Sequence, residues 1–539
     1  LTPLHTTQAD TQKNLSSLRL EVYMAQELKS INLVAPGFKG INTEDAPLAQ
    51  DPSFAEVADN AVIDQRGRIA ARKGLNVTTT NKTALGSGKL RAIKEFVNDS
   101  GTTKIFSVGN NKILSGTTTL ADETPGGYSI SADDWKMVNF NNSTYFFQKG
   151  YQPLVYNTIA SGTSGGANSN VVTLSSVNSA SGLTSAMYGN EVLAAYGRLW
   201  TADFSTDKST VYWSDLLSGH IWTGGSSGSI DISKVWPDGR DEIVALASHN
   251  DSLIIFGKHS IVVYSGATAP ASMALADTIS GVGCVGRDTV QFTGTDVLFL
   301  SHTGLKSLGR TIQEKSMPIS SLSGTITKDI ISLIKSETEF YKSIYFPEES
   351  FYLITFTGHN TTYCFDVRGT LEDGSYRVTR WPGTGFTSYE RKRDATLLIG
   401  GSHGIGAYSG YLDSTSTYRF QYTSPELSFG DITKLKFLKK LRPVIIGGSG
   451  ADIYTKWSYD FKTSSGTSFI SLPSQAIAYF NESEFNIGQF SLGELVTSKL
   501  SVNANGSGTS LSINMEADIN GEELSLQEIN VLALLGRTI

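Results

Sequence analysis

Apolar and polar residues alternate along this chain in short runs, and seldom recur at helical spacing. The runs are about four to eight residues long, rich in Val, Ile, Tyr and Phe, and broken by Gly, Asn and Asp turns, the pattern of buried or half-buried β-strands. Helical spacing is confined to short stretches at 8–30, Pro52 to Ile63 and Ile326 to Ser336. The strand runs recur as a loose unit in which an alternating strand, a polar turn, a more apolar strand, a Gly-containing turn and a third strand follow one another. Examples begin at Lys89 (KLRAIKEFVNDSGTTKIFSVGNNKILSG), Trp135, Val192, Glu242 (EIVALASHNDSLIIFGKHSIVVYSG), Asp288, Tyr341 and Thr387.

One such unit is a small antiparallel sheet that cannot bury both faces alone, whereas six or seven packed around an axis bury them against one another. A row of sandwiches would show a similar strand density. The repeats predict an all-β fold built on an irregular β-propeller of about six to seven blades over 81–413, preceded by a short N-terminal helical or extended segment over 1–80. After Asp413 the texture changes to runs such as ADIYTKWSYDF and SLSINMEADI, so residues 414–539 are expected to form a C-terminal antiparallel β-sandwich or barrel. The Ser/Gly/Asn tract from Ala160 to Ser185 reads as a flexible insertion whose deletion should leave folding largely intact. The first methionine is Met24, within MAQELKSINLV, and residues 1–23 are expected to be an upstream extension or a processing remnant.

Composition adds to this picture in a few places. Charged residues make up 18% of the chain, below the usual quarter, and small polar residues fill the difference, which favours strands joined by tight turns. The net charge of −7 is interspersed and forms no basic footprint for gripping nucleic acid. Two cysteines, Cys284 and Cys364, supply no disulfide framework. No run of about eighteen apolar residues offers a membrane-spanning segment, and the N-terminus lacks a basic-then-apolar signal pattern.

Several motifs carry tempting letters. GVGCVG, Gly281 to Gly286, matches a dinucleotide fingerprint, but the following RDTVQFTG reads as a strand where the fingerprint needs a helix, so a tight turn is expected. GGSHG, Gly400 to Gly404, and GTSGG from Gly162 match the nucleophile elbow; Ser402 lies between two strand runs, which makes a hairpin turn. His249 and His259 are too far apart for helical metal spacing and are expected on neighbouring strands. STDKSTVY, Ser205 to Tyr212, narrowly misses an Asp box, which is itself a turn device. DGRDE, Asp238 to Glu242, could hold a cation through carboxylates, although a solvated turn is the simpler reading. LKKLR, Leu438 to Arg442, is the one compact basic patch and reads as a solvated strand edge rather than a phosphate contact. No catalytic, cofactor-binding or metal-binding residue emerges, and no cofactor or enzyme activity is expected.

The order of the motifs is informative. APGFKGINTEDAP (Ala35 to Pro47) and DNAVIDQRGRIAARKGL (Asp59 to Leu75) come first. GRLWTA from Gly197, VYWSD from Val211, HIW from His220, PDGRDEIVAL and DSLIIFGKHSIVVYSG follow, and then GCVGRDTV and GTDVLFLSHTGLKSL. Over roughly residues 31 to 310 this series resembles the tail nozzle proteins of short-tailed bacteriophages, also called tail tubular protein B, and related packaged-DNA stabilisation tail hubs. The resemblance implies a structural virion protein, assembled in the host cytoplasm. It also implies a homo-hexameric ring below the portal, bound to a tail adaptor ring and to tail fibres or spikes, through whose lumen double-stranded DNA leaves without sequence-specific binding. Six protomers at −7 carry about −42, and an acidic or neutral tube lets phosphates slide where a basic lining would hold them. The alternative is a glycan-binding or glycan-cleaving β-propeller, which would set aromatic and carboxylate side chains around one mouth of a monomer.

Overall fold

The computed structural model describes residues 27–157, 171–177, 180–313, 321–462, 465–472 and 497–538. They divide into two units: Lys73–Ser416, and the residues up to Arg72 together with those from Thr417 onward.

In the first unit, turns of left-handed residues fold successive strands back on themselves. Asn110 and Asn111, Asn141 and Asn142, and Asn250 and Asp251 all have positive φ. Two consecutive left-handed residues make the tight turn whose twist matches that of the strands it joins, and Asn and Asp adopt it at lower cost than other side chains. The strands form five four-stranded antiparallel sheets, one of three strands, and a further antiparallel run of four, Tyr341–Phe346, Phe351–Phe356, Thr361–Thr370 and Tyr376–Pro382. The four-stranded sheets begin at Ala92–Val97, Lys136–Phe140, Glu191–Ala195, Ile243–His249 and Ser388–Arg391. The three-stranded sheet, Gln291–Phe292, Val297–Ser301 and Gly304–Ser307, lies in chain order between the Ile243 and Tyr341 blades. The first strands neighbour one another around a closed circle, with the turn at Arg287–Thr289 completing it beside the three-stranded sheet. This is a β-propeller, and its successive sheets follow the order of the sequence repeats.

Each blade is buried on both faces, which explains why its middle strands read as continuous apolar runs. All six residues of Ser143–Gln148 are buried. Phe146 packs with Phe106 and Trp135 on one side, while Tyr145 and Phe147 pack with Val192 and Leu199 on the other. Likewise Leu253 and Ile255 join Trp200 and Trp213, and Ile254 and Phe256 join Val297 and Phe299. The circle is closed by a strand from the start of the unit. Leu75–Val77 pairs antiparallel with Gly404–Tyr408, Val77 opposite Gly406, and so completes the last blade. Gly74 permits this approach, because a Cβ there would lie 2.0 Å from the Leu412 carbonyl oxygen.

The other unit holds two sheets. In one, the long strands Lys434–Gly447 and Leu524–Thr538 pair with each other and take Glu27–Leu33, Ile69–Ala71 and the short strands Thr497–Lys499, Val502–Asn503 and Ser507–Gly508 at their flanks. The second runs through Val57–Asp59, Tyr418–Thr423, Leu511–Ile519, Asp452–Tyr459 and Gly466–Ser471. Asp452–Tyr459 alternates strictly between half-buried and buried positions, as a strand with one face on a core does. The DNAVID–GRIAAR segment is a hairpin. Asn60 is left-handed, and the buried Arg72 donates from Nε to Asn60 Oδ1 at 2.9 Å while lying 4.2 Å from the Tyr418 ring centroid.

Several expectations change. Pro52 to Ile63 is not helical: it carries the strands Val57–Asp59 and Ala61–Ile63, because pairing along the sheet outweighs a weak local propensity. Ile326 to Ser336 does contain a helix, Thr327–Ser336, and a second short one, Leu308–Gln313, ends the fifth repeat. Residues 1–26, including the helical stretch expected there, lie outside the described residues. The part of 1–80 that is described divides at 72/73, so only its last residues join the propeller. LKKLR is no strand edge: it sits inside Lys434–Gly447, hydrogen-bonded to Leu524–Thr538 on one side and to short strands on the other. Within Ala160–Ser185, residues 160–170 and 178–179 are outside the described set, but the remainder is structural. Val172–Thr173 is the fourth strand of its blade, and Leu174 and Val177 are buried beside Phe147 and Trp222. The tract is therefore not dispensable as a whole. Truncating Leu174 to Ala should cost about 2–5 kcal/mol by the usual large-to-small rule, read as a shift of the urea midpoint, and deleting 171–177 should lower the melting temperature by many degrees. Parental stability in both variants would refute the assignment.

Candidate functional site

The first strand of every blade begins near the propeller axis, and charged or polar residues stand there: Arg91 and Lys94, Asp134 and Lys136, Asn190 and Glu191, Arg287 and Asp288, Lys342, and Glu390. Of these, Arg91, Lys94, Lys136, Arg287, Asp288, Lys342 and Glu390 line a cavity of about 220 Å3. A neighbouring cavity of about 270 Å3 shares Arg287 and Asp288 and extends to Asp203, Glu242 and Lys258.

Arg287 is the centre of this arrangement. It is 5% exposed, and all of its nitrogens are engaged. One terminal nitrogen donates to the Asn190 carbonyl and to Asn190 Oδ1 (2.6 Å). The other donates to the Asp134 carbonyl (3.0 Å) and Oδ1 (2.7 Å), and Nε donates to Asp288 Oδ1 at 3.1 Å. One guanidinium thus ties the turn at Arg287–Thr289 to two blades distant in sequence. Lys342 meets Asp288 at 2.5 Å. Lys136 reaches both oxygens of Glu191 at 2.6 and 2.8 Å, and Glu191 also accepts the Leu246 amide at 3.2 Å. Lys94 pairs with Glu390 at 2.9 Å and Arg91 with Glu339 at 2.8 Å. Lys136, Lys342 and Lys94 thus each cross one inter-blade seam; between the Ile243 blade and the three-stranded sheet the contact is an apolar cluster together with the His259–His302 pair.

Burial and charge compete at these groups. Burial alone would raise the Asp288 carboxyl, yet Arg287, Lys342 and Lys136 hold it well below the ordinary carboxylate range. Burial likewise opposes the charged form of Arg287, and Asp134, Asp288 and Glu191 outweigh it and hold its pKa up. Glu191 and Glu390 are raised, because burial exceeds the help that they receive from Lys136 and Lys94 respectively. Burial pushes the Cys284 thiol up to about 11, so this cysteine is not an activated nucleophile.

The motifs singled out in the sequence fall elsewhere or act as turns. Gly281 to Gly286 is the connection leading to Arg287, and no helix of dinucleotide-binding type follows it. A Cβ at Gly283 would lie 2.2 Å from the Lys258 backbone, and one at Gly286 2.7 Å from Tyr341. What was read as a strand from Arg287 is first a 3-10 turn, Arg287–Thr289, and then the two-residue strand Gln291–Phe292. Ser402 sits in the hairpin between Leu397–Gly401 and Gly404–Tyr408. GTSGG lies outside the described residues. Asp207 accepts the amides of Ser209 and Thr210, the work of a turn. In DGRDE, Asp241 is buried rather than solvated. It accepts hydrogen bonds from the amides of Glu242, Lys258 and His259 and from the Ser260 hydroxyl, which leaves little for a cation. His249 closes one strand, whereas His259 lies in the turn at the opposite end of the next and stacks on His302 at 5.4 Å. Among the described residues no group of three His, Cys, Asp or Glu side chains is arranged to hold a metal. Sequence reasoning missed the axial residues; a faint signal was present, since a charged residue stands at the start of most repeats.

Fold and site together define a β-propeller whose axis is closed by ion pairs between blades. Neither a protein-family model nor a curated protein matches the chain. Among solved structures, the WD40 β-propeller domain of Doa1 is 12% identical over 62% of this chain and 96% of its own, with a TM-score of 0.36. The Neurospora crassa Pan2 WD40 domain is 8% identical over 63% and 94%, also at 0.36. PorZ, a surface component of the type-IX secretion system of Porphyromonas gingivalis, is 12% identical over 65% of this chain, with a TM-score of 0.35; the match spans 42% of the PorZ chain. These likenesses concern the propeller fold alone. No described helix is long and apolar enough to cross a membrane.

Removing one partner from a buried pair leaves the other uncompensated, so Arg287→Met should destabilise the unit by about 3–5 kcal/mol. Asp288, whose pKa is depressed on folding, contributes stability that is present above the ordinary carboxylate value and lost as pH falls below it. Asp288→Asn should therefore lower the melting temperature at neutral pH and flatten its decline under acid. A wild-type pH profile in this variant would show that the axial pairing is not the source.

Proposed function

We propose that this chain is a non-enzymatic structural protein that forms the hexameric nozzle, the lower tail tube, of a short-tailed bacteriophage. The observation that carries the reading is the ordered run from Gly197 to Leu308, GRLWTA through GLKSL, which resembles that family. The axis is consistent with it. The cavity of about 220 Å3 is braced by ion pairs, Arg287 and Lys342 with Asp288 and Lys136 with Glu191.

In this reading the DNA path is not the propeller's own hole. A duplex whose major groove alone is ~12 Å wide cannot thread a cavity of that size, so the conduit is the lumen enclosed by six protomers. The propeller is a rigid brick in its wall. The protein's partners are then other copies of itself, a tail adaptor ring, tail fibres or spikes, and passing double-stranded DNA, and its location is the virion after assembly in the host cytoplasm.

Electron microscopy of particles containing the protein, or of the protein co-assembled with its adaptor, tests the reading. The expected result is a sixfold ring below the adaptor with a lumen wide enough for a duplex. A stable monomer that cleaves a sugar polymer would overturn it in favour of a glycan-directed propeller.

A further inference from the structure

The unit that contains Thr417 onward holds a cavity of its own, about 340 Å3, independent of the tail reading. Its floor is the half-buried, polar face of the second sheet. Thr423 lies opposite Asn514, which lies opposite Lys456, and Ser512 lies opposite Ser458. Glu426, just beyond the Tyr418–Thr423 strand, and Glu56, whose amide donates to the Thr423 carbonyl at 2.9 Å, supply carboxylates, while Phe461 supplies an aromatic ring; the Trp457 ring is buried on the other face of its strand.

Two acceptors here are unfilled. Glu426 is 6% exposed, and its Oε2 accepts no hydrogen bond; Asn514 donates through Nδ2 to Thr423 Oγ1 at 2.9 Å, yet its Oδ1 is buried without a partner. Lys456, at the cavity floor, is engaged with Glu516 at 2.6 Å. Burial raises the Glu56 carboxyl and the charge of Glu426 adds to it; burial also raises Glu426, and the Ser510 hydroxyl and the Phe461 amide offset only part of that rise. Phe461 stands at a φ of 60°, a conformation that costs a phenylalanine energy, and remains 61% exposed at the cavity. Buried acceptors without donors are expensive. A positively charged donor would satisfy them, and the exposed Phe461 ring favours a cation that is organic and weakly hydrated.

We propose that this cavity binds the cationic head of a guanidine or amine, with Glu426, Glu56 and Asn514 Oδ1 accepting its N–H groups and Phe461 flanking it. A bare metal ion fits less well, because the cavity is far larger than one ion and only two carboxylates in it are without a cationic partner.

Calorimetric titration of the full chain at neutral pH with methylguanidine, with the tripeptide Gly-Arg-Gly and with calcium chloride tests this. Saturable binding of either guanidinium probe is expected, weakened about tenfold or more in Glu426→Gln. Glu56→Gln serves as the second variant should the first fail to fold by circular dichroism. Tighter binding of the tripeptide would identify a polypeptide side chain as the natural occupant, and tighter binding of methylguanidine a free small molecule; both support the site. Affinity should rise with pH above the ordinary carboxylate range as the two raised carboxyls ionise, with Glu516, Asp460, Lys456 and Lys462 as the other charged groups facing them. No binding to the parent, binding of calcium alone, affinity that ignores pH, or affinity unchanged in both variants would overturn the proposal.

Discussion

A buried guanidinium that must find an acceptor for every N–H group constrains this propeller more than any other single group. Leaving such a charge unpaired in the interior costs several kcal/mol, so Arg287 is secure only when Asp134, Asn190 and Asp288 are brought to it at once. Those residues belong to different blades, and the requirement is met in the closed ring. Hydrophobic burial supplies the bulk of the stability, but it is non-directional. The ion pairs at the axis add geometry, because Lys136, Lys342 and Lys94 each reach one carboxylate across one seam.

Around that axis, the two-sided burial of each blade follows from the period of the strand. Successive side chains point to opposite faces, so a run such as Tyr145, Phe146 and Phe147 serves two interfaces with neighbouring residues. The same logic removes free edges. Leu75–Val77 supplies the last strand of the last blade, so the ring is held shut by backbone hydrogen bonds between segments more than three hundred residues apart. A closed ring with a braced axis is stiff, and stiffness is what a wall element of a tail tube would need.

The unit built from Thr417 onward follows different rules. Its strands have one buried and one polar face, and the polar face of its second sheet carries the cavity with Glu56 and Glu426. There the polar groups are incompletely paired, in contrast to the propeller axis, where charge is balanced partner by partner. A saturated ion-pair network suits a structural role, and an unsaturated one suits a ligand.

Much of the propeller was legible from sequence alone, because strand period, Asn-rich turns and the recurrence of a three-strand unit are local signals that each blade repeats. A change in local texture near 413 to 418 was legible for the same reason. The letters of GVGCVG and GGSHG could be discounted locally too, since the elements around them were strands. Tertiary structure alone decided the rest. Arg287 looked like an ordinary charge beside a glycine turn until the ring closed and brought Asp134 and Asn190 to it from 153 and 97 residues away. The strand Leu75–Val77, the central place of Leu438 to Arg442 in its sheet, and the burial of Leu174 and Val177 were hidden likewise. Each depends on a partner distant along the chain, and a pattern read within one window of sequence carries no trace of that partner.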